Sequence, residues 1–476
     1  MRTTFAFKRL SDARICMVDK YPTLANSEME SATLSTPGQD AVPSTLTAPG
    51  AVRFWTAVVV IAIGTGASAA ALTSLLQAVQ HLMWPGPGTS LLTATQNASA
   101  WHHVLVLAGA GVLTGVGQIV LVRLSSGNGI DITEAIWFTA GRLPVVRTLG
   151  SAVLSVVVVG MGVSLGREGA PKQAGAVIAN VVSDIARLSD RQRRLLVACG
   201  AGGGMAAAYG VPLGGALFAL EVLRGALSLR MVLPALVTAL IATAVSWIVL
   251  PDAPTYLIPA YQNSWSATLW ALLFGPIAGV VSVVYVRSIA LADRNKPQGW
   301  RRILAPLLVL GLLGVVSIEF PQLLGNGKDI AQLVFVGQLT PALLLALLFL
   351  KPLATALCLG CGTPGGLFTP SLALGALLGA VLGHVWSGIW PGVPLGLFAV
   401  IGAAAVLAAT TQGPISTVVL IMELTSRDRS FIVPLLLAVA TATLVARTIE
   451  PRSIYEARLS EAQVDARRKA RDASSE

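Results

Sequence analysis

Apolar runs of membrane-spanning length recur along this chain, and glycine and proline break them up. Val104 to Val122, Met231 to Leu250 and the shorter Phe431 to Ala446 contain no charged residue. A helix needs about 20 such residues to cross the hydrocarbon core. Only 12% of the 476 residues are charged, and 54% are hydrophobic. A soluble domain carries about 25% charged residues. Half that fraction cannot coat a surface that faces water, so lipid must cover much of it. The chain therefore reads as an all-α polytopic membrane protein, with its transmembrane body over residues 51–459.

The punctuation narrows the class further. There are 47 Gly and 26 Pro, which ordinary long spanning helices do not need. Short broken helices survive at membrane depth only inside protein or along a polar cavity. They point to a transport core whose helix ends meet near the midplane.

The net charge of +10 fits the positive-inside bias of membrane proteins better than nucleic-acid binding. Basic residues cluster in three places: Arg2 to Lys20, Arg287 to Arg302, and Arg447 to Arg471. All three segments are expected in the cytoplasm. Arg187, Arg191, Arg193 and Arg194 form a fourth basic loop of unassigned side. Residues 1–50 are polar, show no signal peptide, and are expected to be a disordered cytoplasmic tail. Residues 460–476 are expected to be a second, short cytoplasmic tail. Cys358 and Cys361 have a metal-like spacing, but no second pair or neighbouring His completes a site. Small buried thiols in a helix are the plainer reading, and no cofactor is expected.

An internal repeat divides the body. The stretch GAGGGMAAAYGVPLGGALFALEV from Gly200 resembles GAAAVLAATTQGPISTVVLIMEL from Gly402. Pro212 aligns with Pro414 and Glu221 with Glu423. Gly127-Asn-Gly-Ile-Asp-Ile132 echoes Gly325-Asn-Gly-Lys-Asp-Ile330, and Pro171 echoes Pro370. Two homologous halves follow, about 54–250 and 268–459. Spacing leaves open whether they run inverted.

Three glycine-rich breaks precede residues that can start a helix: Ser126 to Asp131, Gly166 to Pro171, and Gly365 to Pro370. Proline suits a first helical turn, where its missing N–H is not needed. A helix start presents unpaired N–H groups and the positive end of the dipole. Several starts converging would hold an anion without any full positive charge. A buried Lys or Arg would bind too tightly for rapid exit.

These breaks resemble the signature motifs of the CLC chloride channel and transporter family, whose usual forms are GSGIP, GREGP and GxFxP. The third is intact from Gly366 to Pro370. Gly166-Arg-Glu-Gly169 is intact, with Ala170 where the family usually has Pro. In the first motif Asn128 replaces Ser and Asp131 replaces Pro. Ile454-Tyr455 resembles the segment that supplies the family's pore tyrosine.

The resemblance implies transport of chloride or a similar anion across the cell membrane by a homodimer with a pathway in each subunit. It makes Glu168 the gating carboxylate, an anion mimic when ionised that swings aside when protonated. The anion ligands would be Asn128, Gly129, Gly169, Ala170, Leu367, Phe368 and Tyr455. Proton-coupled members often carry two adjacent glutamates. Here Glu221 matches the first, a possible proton-pathway residue, but Val222 stands at the second and carries no proton. A channel-like or weakly coupled protein is the expectation, and an anion/proton antiporter avoiding Val222 is the alternative. Glu221, Glu423 and Glu134 also read as structural carboxylates at helix ends.

Other classes fit less well. Gly162-Val-Ser-Leu-Gly166 matches the GxSxG pattern of serine hydrolases, which would need a facing His. His384 is the only one deep in an apolar run, and it is expected to be buried or at a helix end. Gly200 to Met205 lacks the last Gly of a dinucleotide loop and reads as close helix packing. An organic-solute transporter would share the repeat but need a larger site. No enzyme is expected.

Overall fold

The computed structural model describes residues 42–43, 45–86, 90–124, 131–262, 264–426 and 431–459. Asn128, Gly129 and nearly all of both expected tails lie outside them. The first half carries α1 (Ala51–Met83), α2 (Leu91–Gln96), α3 (Ala100–Leu124), α4 (Ile132–Phe138), α5 (Val145–Gly160), α6 (Gly169–Ile185), α7 (Asp190–Tyr209), α8 (Pro212–Phe218) and α9 (Leu229–Ser246). The second carries α10 (Trp265–Arg294), α11 (Arg301–Glu319), α12 (Lys328–Phe335), α13 (Pro341–Gly360), α14 (Phe368–Ile389), α15 (Leu395–Thr411), α16 (Pro414–Thr425) and α17 (Ile432–Ile449). Among the described residues, eight of these are long and apolar enough to cross a membrane. The chain is an integral, multi-pass membrane protein.

Packing contacts in the first half recur in the second. Helix α1 packs on α9 as α10 packs on α17, and α6 packs on α7 as α14 packs on α15. The same small residues make both sets of contacts possible. A Cβ on Gly175 would lie 2.0 Å from the Gly200 carbonyl, and one on Gly375 would lie 2.4 Å from that of Gly402. Close backbone approach of this kind is how helices associate where no hydrophobic drive separates protein from lipid.

Burial explains which helices the sequence repeat picked out. Helix α7 is buried from Leu195 to Tyr209, and α15 from Gly396 to Thr411. Both are apolar and small on every side, the pattern of a helix wrapped by others. Outer helices differ. Helix α11 leaves Leu308, Leu312 and Val315 exposed, and α13 leaves Leu345, Phe349 and Leu353 exposed, the faces that lipid covers.

A reciprocal pair of caps joins the halves. Pro212 and Pro414 each open a helix at its first position. The Glu221 carboxylate accepts from the N–H groups of Ile415 and Ser416 at 3.1 and 2.6 Å. Glu423 accepts from Leu213 and Gly214 at 3.0 and 2.7 Å. Each acid thus caps the helix of the other half. Glu221 itself lies in a π-helical stretch, Ala219–Arg224, that continues α8. Replacing either acid by Ala strands two N–H donors at a helix start. Each variant is expected to lose about 1–3 kcal/mol, read as a lowered thermal unfolding temperature in detergent.

The basic loop after α10 and the C-terminal segment lie on one face. Arg287 Nε reaches Glu450 at 3.1 Å, and Arg458 Nε reaches Asp293 at 3.0 Å. Lys296 joins Asp293 at 2.6 Å. Burial, then the neighbouring Arg458 charge, pulls Lys296 below the usual lysine range.

Candidate functional site

The second and third glycine-rich breaks meet. Gly166 and Gly366 exchange both backbone hydrogen bonds at 2.7 Å as an antiparallel bridge. This pairing brings the N-termini of α6 and α14 together. Glu168, the residue before α6, is fully buried there. Its Oε1 accepts from the Phe368 N–H at 2.6 Å, the first residue of α14. Its Oε2 accepts from the hydroxyls of Thr369 and Tyr209 at 3.2 and 3.3 Å. A carboxylate therefore sits on the electropositive end of a helix, where any anion would be held.

Both bridge glycines are required for that pose. A Cβ on Gly166 would lie 2.2 Å from Glu168 Oε1, and one on Gly366 would lie 2.1 Å from it. The backbone forms a cradle whose width matches a carboxylate.

A cavity of about 320 Å³ approaches this point from the basic face. Gly169, Gly366 and Leu367 line it, with Lys172, Tyr455, Asp131, Lys296, Arg302 and Arg458 also on its wall. Glu168 is not on the wall, whereas its neighbour Gly169 is, so the carboxylate stands behind the cavity's inner end. Phe368 packs edge-on against Phe218, and Phe218 against Tyr455, with centroids 6.5 and 6.0 Å apart. These rings connect the carboxylate to the tyrosine. Ile454 N–H donates to the Thr410 carbonyl at 2.7 Å and pins the Tyr455 segment to α15.

The structure thus gathers Glu168, Gly169, Ala170, Leu367, Phe368 and Tyr455 around one locus, while Glu221 lies elsewhere as a helix cap. The first break departs from the expectation of a bare helix start. Asp131 Oδ1 accepts from the Thr133 and Glu134 N–H groups at 2.7 and 3.3 Å. A carboxylate thereby occupies the tip of α4.

A lysine also lies beside the locus, where the sequence led to an expectation of helix ends alone. Lys172, one turn after Glu168 on α6, is 5% exposed. Its Nζ lies 3.4 Å from the Tyr455 hydroxyl. Tyr209 and Thr369 join the site too. Thr369 lies inside the third motif, but nothing in the sequence singled out Tyr209.

Local geometry removes the hydrolase reading. Lys351 Nζ donates to Ser164 Oγ at 2.9 Å and to the Leu323 and Gly325 carbonyls at 2.9 and 2.8 Å. The residue facing Ser164 is thus a lysine and not the His that the hydrolase reading requires. His384 is exposed rather than buried. Cys358 and Cys361 are buried thiols at the end of α13.

Residues 110–447 match the family described as voltage gated chloride channel. The chain belongs to this CLC family. Its members are transporters, not enzymes. The H(+)/Cl(-) exchange transporter ClcA of Vibrio campbellii is 30% identical over 377 residues, 75% of this chain and 78% of that one. ClcA of Vibrio parahaemolyticus is 32% identical over 307 residues, 62% of this chain and 66% of its own length. A putative chloride channel protein ClcB-like from Ralstonia nicotianae is 30% identical over 406 residues, 82% of this chain and 93% of that one. Among solved structures, a slow cyanobacterial Cl-/H+ antiporter superposes with a TM-score of 0.74 at 21% identity, covering 88% of this chain and 98% of that one. A CLC-type fluoride/proton antiporter gives 0.69 at 22% identity, covering 86% and 98%. These two likenesses establish the CLC fold.

Proposed function

We propose that this CLC protein exchanges a small inorganic anion, such as chloride, for protons across the cell membrane. One observation carries the reading. The Glu168 carboxylate takes the Phe368 N–H that an anion would take. Anion and ionised Glu168 therefore exclude each other. Protonation weakens the carboxyl as an acceptor, releases it and opens the place to an anion. A proton enters the cycle each time the acid leaves. The relatives named H(+)/Cl(-) exchangers favour this coupling over simple conduction.

The gate is Glu168, with Gly169, Ala170, Leu367, Phe368 and Tyr455 as anion contacts, and Asn128 and Gly129 as the contribution of the first motif. The assembly is a homodimer with one pathway per subunit, and the termini and basic face are cytoplasmic. A second reading, channel-like flux with weak coupling, is favoured by Val222, which offers no proton acceptor beside Glu221. A liposome experiment separates them. An imposed chloride gradient should drive protons uphill; anion flux with no proton movement would support the channel reading.

A further inference from the structure

We propose that Lys172 is a direct anion ligand, giving the inner part of the pathway a fully charged binding site. The inference rests on the anion-pathway reading above and adds a ligand to it.

A buried ammonium is costly unless an acceptor or a negative charge compensates it. It carries three donors. Lys351 shows the satisfied case, with all three protons placed on oxygens. Lys172 is 5% exposed, yet among the described residues its one hydrogen bond is the 3.4 Å contact to the Tyr455 hydroxyl. Its Nζ otherwise stands over the rings of Tyr455 and Phe218, 4.8 and 5.3 Å from their centroids. Among the described residues, no carboxylate lies within ion-pairing distance of it.

The neighbouring acid is already engaged. Asp131 caps α4 through Oδ1, and its Oδ2 lies 4.0 Å from Arg458 Nη1. Arg458 and Lys296 share Asp293. Among the described residues of the cavity wall, Arg147, Lys172, Lys296, Arg302 and Arg458 face Asp131 as the one acid. Asp131 and Asp293 together leave the wall with more cations than acids, and Lys172 is its most interior ammonium; the Glu168 charge four residues earlier acts on it, but only beyond ion-pairing distance. Small monovalent anions supply a closer negative partner. Tyr455 offers a hydroxyl beside the same spot, and α6 begins three residues earlier at Gly169. A full charge holds an anion longer than dipoles alone and slows its exit.

Chloride titrations by calorimetry on purified protein, with flux measured in liposomes over a range of chloride, test this. Lys172→Met should weaken binding by about tenfold or more. It should raise the half-saturating chloride without lowering the maximal rate, while Lys172→Arg stays near wild type. Should Lys172→Met fail to fold, Lys172→Gln carries the same expectation. Unchanged chloride binding in the neutral variant would overturn the proposal. So would a lower maximal rate at unchanged half-saturation, the mark of a lysine that only props Tyr455. Absence of any anion flux in the wild-type protein would instead bring down the pathway reading, and this proposal with it.

Discussion

Glu168→Ala is expected to carry anions at a rate that no longer varies with pH and to move no protons uphill. On the proposed reading, the wild-type carboxylate closes the path by accepting from Phe368, Thr369 and Tyr209. Only the protonated fraction releases it. Wild-type flux should therefore climb as pH drops. Alanine has no proton to bind and no oxygen to place on the helix end, so the dependence should vanish. Anion flux and pH-electrode recordings from the same vesicles read both effects. A pH profile in the variant that parallels wild type would assign the gate to another group.

Gly366→Ala should act on the same gate without touching the acid. The added methyl would sit 2.1 Å from Glu168 Oε1. The atom it meets ends a flexible side chain, so the carboxylate gives way and the backbone does not. Expelling it forfeits charged hydrogen bonds worth about 1.5–3 kcal/mol. Occupancy of the blocking pose should fall by about one to two powers of ten. Anion flux near neutral pH should rise, its pH dependence should flatten, and fewer protons should move per anion. Gly311→Ala, with open space around its Cβ position, should match wild type. If Gly366→Ala kept wild-type flux and coupling, the cradle would not hold the carboxylate in the working protein.

The fold was legible because its constraints are local and repeated. Charge scarcity and spanning lengths pointed to the membrane class. The sequence repeat proved to be the two buried helices α7 and α15, where packing on every side demands small residues. Outer helices need only be apolar toward lipid, so their equivalence left little trace. The reciprocal caps of Glu221 and Glu423 were foreshadowed by equal spacing from Pro212 and Pro414. That they cross between halves is a fact of tertiary contact, which spacing does not encode.

The site was legible in its motifs and less so in its chemistry. Glu168, Gly169, Leu367, Phe368 and Tyr455 come together around α6 and α14. Lys172 went unmarked, although a charge in an apolar segment has work to do, and that holds for it as much as for Glu168 four residues earlier. Asp131 stood out as a departure from the first motif, but its capping of α4 required the local geometry. Tyr209 reaches Glu168 from the far end of α7, across 41 residues of sequence, and no pattern announces such a contact.

The central claim is that carboxylate and anion compete for one N–H. Crystals of wild type and Glu168→Gln soaked in bromide, with anomalous scattering to locate it, address this directly. The account predicts bromide within hydrogen-bonding distance of the Phe368 nitrogen in the Gln variant, and none there while ionised Glu168 occupies the place. Bromide on that nitrogen beside an undisplaced Glu168 carboxylate would contradict it.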